Sequence, residues 1–220
     1  MSISLSRSSP MVLPRFYPIL DTAIAVKRGV NPVDAASQIL EAGAAILQFR
    51  HKGFLSREVF ADLEKIAALC REAKVLLIVN DRADLARLFD AGLHLGQDDL
   101  PPQAARRITG PQLRIGFSTH NEAQLREGDV EPVDYLALGP IFGTRSKQNP
   151  DLDVGLEELR RLRPLTSRPL VAIGGITRAN ALSVIEAGAD SVAVISDLFA
   201  AGDDLRSTVR DWVRILNTAE

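Results

Sequence analysis

Cysteine is nearly absent: Cys70 stands alone among 220 residues, and a single thiol excludes an internal disulfide framework. Phe60, Leu63 and Ala67 precede it at helical spacing, which places Cys70 as a buried, inert thiol on a helix. A chain without disulfides suits a reducing compartment, so a cytoplasmic location is expected. Long apolar runs are missing too. The run Val75–Val79 is far short of a bilayer span, and Met1–Pro14 is serine-rich without the apolar core of a signal peptide. Residues 1–14 therefore read as a flexible N-terminal tail, and 15–220 as the folded part. Neither charge is in excess: Lys plus Arg total 26 against 28 Asp plus Glu, a net charge of −2. With no basic stripe, neither nucleic acid nor a membrane is expected as a partner. Affinity for anions must come from a few placed cations. His51, His94 and His120 lack zinc-motif spacing, and each reads as a structural or surface histidine. No Gly-x-Ser-x-Gly elbow or Cys–His nucleophile pair is present. The first strand is not followed by the Gly-x-Gly-x-x-Gly turn of a dinucleotide fold.

What is present is an alternation of strand-like and helix-like segments. Strands are expected at Phe16–Asp21, Ala45–Arg50, Val75–Asp81, Leu93–Gly96, Leu113–Ser118, Tyr135–Ile141, Leu170–Gly174 and Val192–Ser196. Helices are expected at Pro32–Ala42, Ser56–Lys74, Asp84–Phe89, Pro101–Ile108, Glu122–Arg126, Leu156–Leu162, Arg178–Glu186 and Leu205–Asn217. Alternating strands and helices imply a parallel sheet covered by helices. Eight pairs in this length point to α/β architecture of one kind, a single (β/α)8 TIM barrel, with an open doubly wound sheet as the alternative. Glu41-Ala42-Gly43, Asp90-Ala91-Gly92 and Glu186-Ala187-Gly188 echo one another, each with a glycine able to end a helix in the left-handed conformation. Trp212, spaced helically with Leu205, Val209 and Leu216, reads as barrel packing.

The polar residues that need a function gather at the carboxyl ends of the strands. Gln48, Arg50 and Lys52 alternate along and just past the second strand, so they share one face and suit an anionic ligand. Asn80-Asp81 end the third strand and Asp98-Asp99 follow the fourth. Two carboxylates on adjacent loops suit Mg2+, which takes hard oxygen ligands together with phosphate oxygens. Alone, Asn80-Asp81 also reads as a helix N-cap, and Asp98 as the cap of the helix at Pro101, which leaves Asp99 as the metal candidate. The sixth strand runs into Gly139-Pro140-Ile141-Phe142-Gly143-Thr144-Arg145-Ser146-Lys147, a loop able to cradle phosphate. Gly174-Gly175 after the seventh strand and Ile195-Ser196 at the end of the eighth occupy the usual phosphate position of this fold. Ser118 ends the fifth strand, where its hydroxyl either meets ligand or starts the next helix.

Taken in order, these pieces resemble the thiamine phosphate synthase family from about Phe16 to about Phe199. The diagnostic set is Gln48-Phe49-Arg50-His51-Lys52, Asn80-Asp81-Arg82, His94 through Asp99, Gly116 through His120, Leu138 through Lys147, Ala172 through Ile176, and Ala187 through Ser196. The resemblance implies a transferase of thiamine biosynthesis that joins hydroxymethylpyrimidine diphosphate to a thiazole phosphate and releases diphosphate. It assigns Gln48, Arg50, Lys52 and Asn80 to the pyrimidine diphosphate, Asp81 and Asp99 to Mg2+, Ser118 to the pyrimidine, and Lys147 to the diphosphate. Thr144, Arg145, Ser146, Gly175, Ile195 and Ser196 fall to the thiazole phosphate. Arg50, Lys52, Ser118 and Lys147 would carry the chemistry, with no protein nucleophile. Oligomeric state is left open. Three departures bear on fine geometry: His51 replaces an acidic residue, Arg145-Ser146 alters the common Thr-x-Thr-Lys loop, and the interval from Asp81 to Asp99 is one residue short. The competing readings are a thiazole tautomerase-like isomerase using His120, and a non-catalytic phosphometabolite-binding protein. Tautomerase relatives tend to lose the lysine after the strand-two arginine and the Gly-Gln-x-Asp piece, both retained in this chain.

Overall fold

The computed structural model describes residues 11–143, 153–200 and 204–217. Eight strands, all parallel, form a closed barrel in chain order. They are β1 (Phe16–Asp21), β2 (Ile46–Arg50), β3 (Leu76–Asn80), β4 (Gly92–Leu95), β5 (Ile115–Thr119), β6 (Tyr135–Leu138), β7 (Leu170–Ile173) and β8 (Ser191–Val194). The helices are α1 (Thr22–Lys27), α2 (Pro32–Glu41), α3 (Arg57–Ala73), α4 (Ala83–Leu88), α5 (Pro102–Thr109), α6 (Glu122–Val130), α7 (Gly155–Leu162), α8 (Ala181–Glu186) and α9 (Leu205–Asn217). The single barrel expected from the alternation is what forms, and the open sheet is excluded.

Local chemistry explains the element starts. Asn31 accepts from the Val33 amide at 2.8 Å with Pro32 at the first helical position, Ser56 accepts from Val59 at 3.2 Å, and Asp204 accepts from Ser207 at 3.0 Å. Each side chain satisfies an amide that the helix itself leaves unpaired. Two of the echoed junctions end as expected, in left-handed Gly43 and Gly188. At the third, the left-handed residue is Asp90 (φ 51°), and Gly92 is already the first residue of β4. Asp98 does not cap α5, whose N-cap is Pro101 without any side-chain bond. Nor does Asp81 cap α4, since Arg82 takes that place.

Alternation along the strands divides the core in two. Leu20, Leu47, Phe49, Val79, Leu93, Leu136 and Ala172 face the helices, while Tyr17, Ile19, Ile46, Ile78, Tyr135, Ala137, Val171 and Ala193 fill the barrel interior. Leu13 and Met11, assigned by sequence to the tail, pack against this interior set, and Leu13 is buried. Residues 1–10 lie outside the described residues. Trp212 of α9 is fully buried and stacks on Phe16 of β1 with centroids 5.5 Å apart, tying the last helix to the first strand. Cys70 is buried, as expected, and burial pushes its thiol up to about 12.

The amino-terminal rim is held by arginines. Arg106 donates to the carbonyls of Gly110, Leu113 and Pro132 and to Asp134, whose carboxylate also accepts from Arg114 and the Ile115 amide. Arg168 donates to the carbonyls of Asp129, Glu131 and Val133. These guanidiniums satisfy carbonyls left over where α6 and the loop after α5 end. They occupy the end of the barrel opposite the polar strand ends.

Candidate functional site

At the carboxyl-terminal rim the interior face turns polar. On β2, Ile46, Gln48 and Arg50 alternate inward; on β3, Ile78 is followed by Asn80, which pairs in register with His94 of β4. Gln48 and Asn80 are buried, at 2% and 8% exposure. The Asn80 amide nitrogen has no hydrogen-bond partner. A buried donor left unpaired is costly, and this one ends a barrel strand where the fold binds ligands. It suits an acceptor oxygen supplied from outside the chain.

Arg50 forms an ion pair with Asp21 at the end of β1, and the other Asp21 oxygen accepts from the Ile24 amide at 3.0 Å to start α1. One carboxylate therefore caps a helix and fixes the guanidinium. Lys52 Nζ lies 2.5 Å from Asp81 Oδ2. The intervening His51 holds the loop: its Nδ1 pairs with Thr22 Oγ1 at 2.7 Å and its Nε2 with the Phe54 carbonyl at 3.1 Å. Asp81 sits at φ 64°, its amide donating to the His94 carbonyl at 2.8 Å, and its carboxyl shares a hydrogen bond with Asp99. Asp99 is anchored by the Gly96 amide at 2.7 Å. Burial, then the hydrogen bond to Asp99, pushes the Asp81 carboxyl up to about 6 against the pull of Lys52. Burial raises Asp99 as well, but the bonds from Asp81 and the Gly96 amide outweigh it and leave that carboxyl below its ordinary value. Two carboxylates this close cannot both ionise without a compensating cation. Among the described residues no group of three His, Cys, Asp or Glu side chains is placed to hold a metal. The pair fits a hard dication that takes its remaining ligands from water and phosphate oxygens. A cavity of about 190 Å³ opens between the loops after β2 and β3, bordered by Lys52, Asn80, Asp81 and Arg82 over a floor of Phe49 and Val79.

Beneath the rim a chain of hydrogen bonds crosses the barrel. Gln48 Nε2 donates to Tyr17 Oη at 3.0 Å, Tyr17 Oη lies 2.8 Å from Tyr135 Oη, Tyr135 Oη 3.1 Å from His94 Nδ1, and His94 Nε2 2.9 Å from Ser118 Oγ. Burial lowers His94 to about 4, so the ring is neutral at physiological pH. Burial likewise raises both phenols, so Tyr17 and Tyr135 keep their protons. Gly116 makes room for this arrangement: a Cβ there would stand 2.0 Å from Tyr135 Cζ.

Across the rim the backbone after β6 lies along the backbone after β7, with the Ile141 amide on the Ile173 carbonyl at 2.9 Å and the Phe142 amide on the Gly174 carbonyl at 3.0 Å. Gly175 has φ 64°, and a Cβ on it would meet Phe142 Cβ at 2.7 Å, so only glycine fits this approach. Asn180 fastens the same turn, accepting from the Thr177 amide and donating to the Gly175 carbonyl. Ile195 packs on the interior cluster and Ser196 opens a 3-10 turn beside it. Thr144, Arg145, Ser146 and Lys147 lie outside the described residues.

Comparisons with known proteins place the chain in a family. The family model described as thiamine monophosphate synthase matches residues 16–198. The chain belongs to that family. A thiamine-phosphate synthase of Koribacter versatilis is 46% identical over 217 residues, covering 96% of this chain and all of that protein. One of Pelotomaculum thermopropionicum is 40% identical, covering 90% and 91%. Among solved structures, thiamine phosphate pyrophosphorylase from Pyrococcus furiosus superposes with a TM-score of 0.82 at 33% identity, covering 93% of this chain and 96% of that one. The chain is thus an enzyme, a transferase with thiamine phosphate synthase function in thiamine biosynthesis. No helix among the described residues is long and apolar enough to cross a membrane.

The site residues legible in sequence that fall within the described residues come together at this rim: Gln48, Arg50, Lys52, Asn80, Asp81, Asp99 and Ser118 on one arc, Gly175, Ile195 and Ser196 at the loops after β7 and β8. Sequence reasoning did not single out Asp21, Tyr17 or Tyr135, and it read His94 as structural, which its bonds to Tyr135 and Ser118 bear out. The available signal was the strand alternation, which puts Tyr17, Asp21, His94 and Tyr135 on interior positions. His120 Nδ1 is committed to the Gly139 carbonyl at 2.5 Å.

Proposed function

We propose that the chain joins hydroxymethylpyrimidine diphosphate to a thiazole phosphate, giving thiamine phosphate and diphosphate, with Asp81 and Asp99 as the residues that would hold Mg2+. The observation that carries this reading is the meeting of two cations, two carboxylates and an unpaired buried amide at the ends of β2, β3 and β4. When bound, the metal would neutralise charge on the phosphate oxygens. Arg50 and Lys52 add fixed positive charge where the leaving diphosphate gathers negative charge, and the interaction strengthens as the carbon–oxygen bond ionises. Lys52 leaves its contact with Asp81 to do so, while Asp21 keeps the Arg50 guanidinium in place. Asn80 donates its free amide protons to a diphosphate oxygen. Gln48 and Ser118 orient the pyrimidine at the barrel mouth, where a closed site would keep water from the pyrimidinylmethyl cation.

The thiazole phosphate belongs at Gly175, Ile195 and Ser196, where the glycine backbone leaves space for an anion near the amides. Thr144, Arg145 and Ser146 join that subsite, and Lys147 contacts the diphosphate. Thiazole nitrogen held in line with the ionising carbon supplies the bond-forming step by proximity, and the protein contributes no nucleophile. Incubating purified protein with both substrates, in Mg2+ and in chelator, tests the reading. Thiamine phosphate is expected only with the metal, and a well-folded protein that instead isomerises the thiazole would sink it.

A further inference from the structure

We propose that the Gln48 carboxamide, acting through Tyr17 and Tyr135, sets the tautomer of His94 and so presents Ser118 to the ligand as a hydrogen-bond donor. Gln48 Nε2 has only protons to give, so Tyr17 Oη accepts at 3.0 Å. The Tyr17 hydroxyl proton then goes to Tyr135 Oη, 2.8 Å away. Tyr135 in turn directs its proton at His94 Nδ1, 3.1 Å away, which must be the bare ring nitrogen. A neutral imidazole with bare Nδ1 carries its proton on Nε2, and that proton points at Ser118 Oγ, 2.9 Å away. Having accepted from histidine, the Ser118 hydroxyl keeps its own proton for a partner outside the chain.

Rotating one amide through a half-turn reverses every link. Tyr17 would donate to Gln48, Tyr135 to Tyr17, His94 Nδ1 to Tyr135, and Ser118 to His94, so that Ser118 would meet the ligand as an acceptor. The relay crosses the barrel from β2 through β1, β6 and β4 to β5, and its links polarise one another in the low dielectric of the interior. Tyr17 and Tyr135 are positioning residues here; they act on the ligand through His94 and Ser118. The proposal rests on the reading in which Ser118 faces the pyrimidine.

Nitrogen-15 NMR of the ligand-free, histidine-labelled full chain tests it, with the His94 signals assigned by their loss in His94→Gln. Wild type is expected to show Nε2 protonated and Nδ1 bare. Gln48→Glu, measured with the carboxylate ionised, can only accept, and is expected to move the His94 proton to Nδ1. Adding Tyr135→Phe cuts the relay and should abolish that response. A wild-type Nδ1–H form, or a Gln48→Glu spectrum unchanged at His94, overturns the proposal. If Gln48→Glu does not fold, Gln48→Leu replaces it: both tautomers are expected there, and a single Nε2–H form counts against the relay. Product formation is followed on the same samples. Absence of thiamine phosphate from wild type with the expected tautomers would remove the functional reading and leave the relay intact.

Discussion

Asp81→Asn is the perturbation whose consequences can be worked furthest from the structure. Asp81 holds a left-handed φ of 64°, a region that asparagine enters as readily as aspartate, so the change alters charge without adding backbone strain. In the metal-free protein, burial and Asp99 lift this carboxyl from 3.8 to about 6. Because the folded-state value is raised, the folded chain holds the proton more tightly than the unfolded chain. Stability is then lost as pH rises from about 4 through about 6, and the loss persists above that range. At about 1.4 kcal/mol per unit the cost of the ionised carboxylate is at most about 3 kcal/mol. The opposite shift of Asp99 and solvent screening at this partly exposed site reduce the net to about 1–2 kcal/mol. Asparagine removes that cost. In chelator at about pH 8 the variant should therefore melt above wild type by roughly 2–8 °C, using about 2–4 °C per kcal/mol for a domain of this size. The gain should shrink as pH falls toward about 4. Mg2+ should raise the wild-type melting temperature at about pH 8 and leave the variant unmoved, because only the folded wild type offers the paired carboxylates. Melting curves in chelator and in Mg2+ at the two pH values decide the matter. A variant that melts below wild type at the higher pH, or that keeps its Mg2+ response, refutes the reasoning.

Three further outcomes follow from particular contacts. Gly116→Ala places a methyl 2.0 Å from Tyr135 Cζ; denaturant titration should show a loss of about 1–3 kcal/mol, and activity should fall with displacement of the tyrosine. Arg106→Ala strips hydrogen bonds from three carbonyls and Asp134 at the opposite rim; about 2–4 kcal/mol of stability should go, with kcat/KM per folded molecule unchanged below the melting transition. Asp21→Asn keeps a cap acceptor for α1 while Asp21→Ala loses it, so the alanine variant should be less stable by about 1 kcal/mol. Both release Arg50, and steady-state kinetics should show weaker use of the diphosphate substrate in both.

Much of the architecture was legible because local and global signals coincide. The β-branched and leucine-rich run Val75–Val79 had no alternative to a buried strand, and the eightfold alternation left a closed barrel as the economical arrangement. Legibility failed where tertiary contact overrides local pattern. Thr22–Lys27 went unread as a helix because it follows β1 without a break and is capped by Asp21, a residue counted only as the strand end. The helix expected over Glu122–Arg126 runs to Val130 through Gly128, where a Cβ would meet Leu136 Cδ2 at 2.9 Å. That glycine serves close packing on β6 and does not break the helix. The strand expected over Tyr135–Ile141 ends at Leu138, before Pro140, which has no amide to donate.

The site divides the same way. Gln48, Arg50, Lys52, Asn80, Asp81 and Asp99 stand out in sequence because polar side chains at the end of a helix-covered barrel strand need a partner. For Tyr17 and Tyr135 strand alternation gives an interior position but not their pairing, since their hydroxyls, 118 positions apart in sequence, meet only once the barrel closes. His94 reads in sequence as a structural histidine, and the structure agrees. Its ring bridges Tyr135 and Ser118.

In the function proposed above, diphosphate and a dication gather at the carboxyl-terminal ends of β2, β3 and β4. The most direct measurement is a crystal structure with diphosphate and Mn2+ in place of Mg2+, the metal located by its anomalous scattering. The metal is expected between the Asp81 and Asp99 carboxylates, with diphosphate oxygens against Arg50, Lys52 and the Asn80 amide. Diphosphate bound instead among Arg106 and Arg168 at the other end of the barrel, or a metal site away from both aspartates, would contradict it.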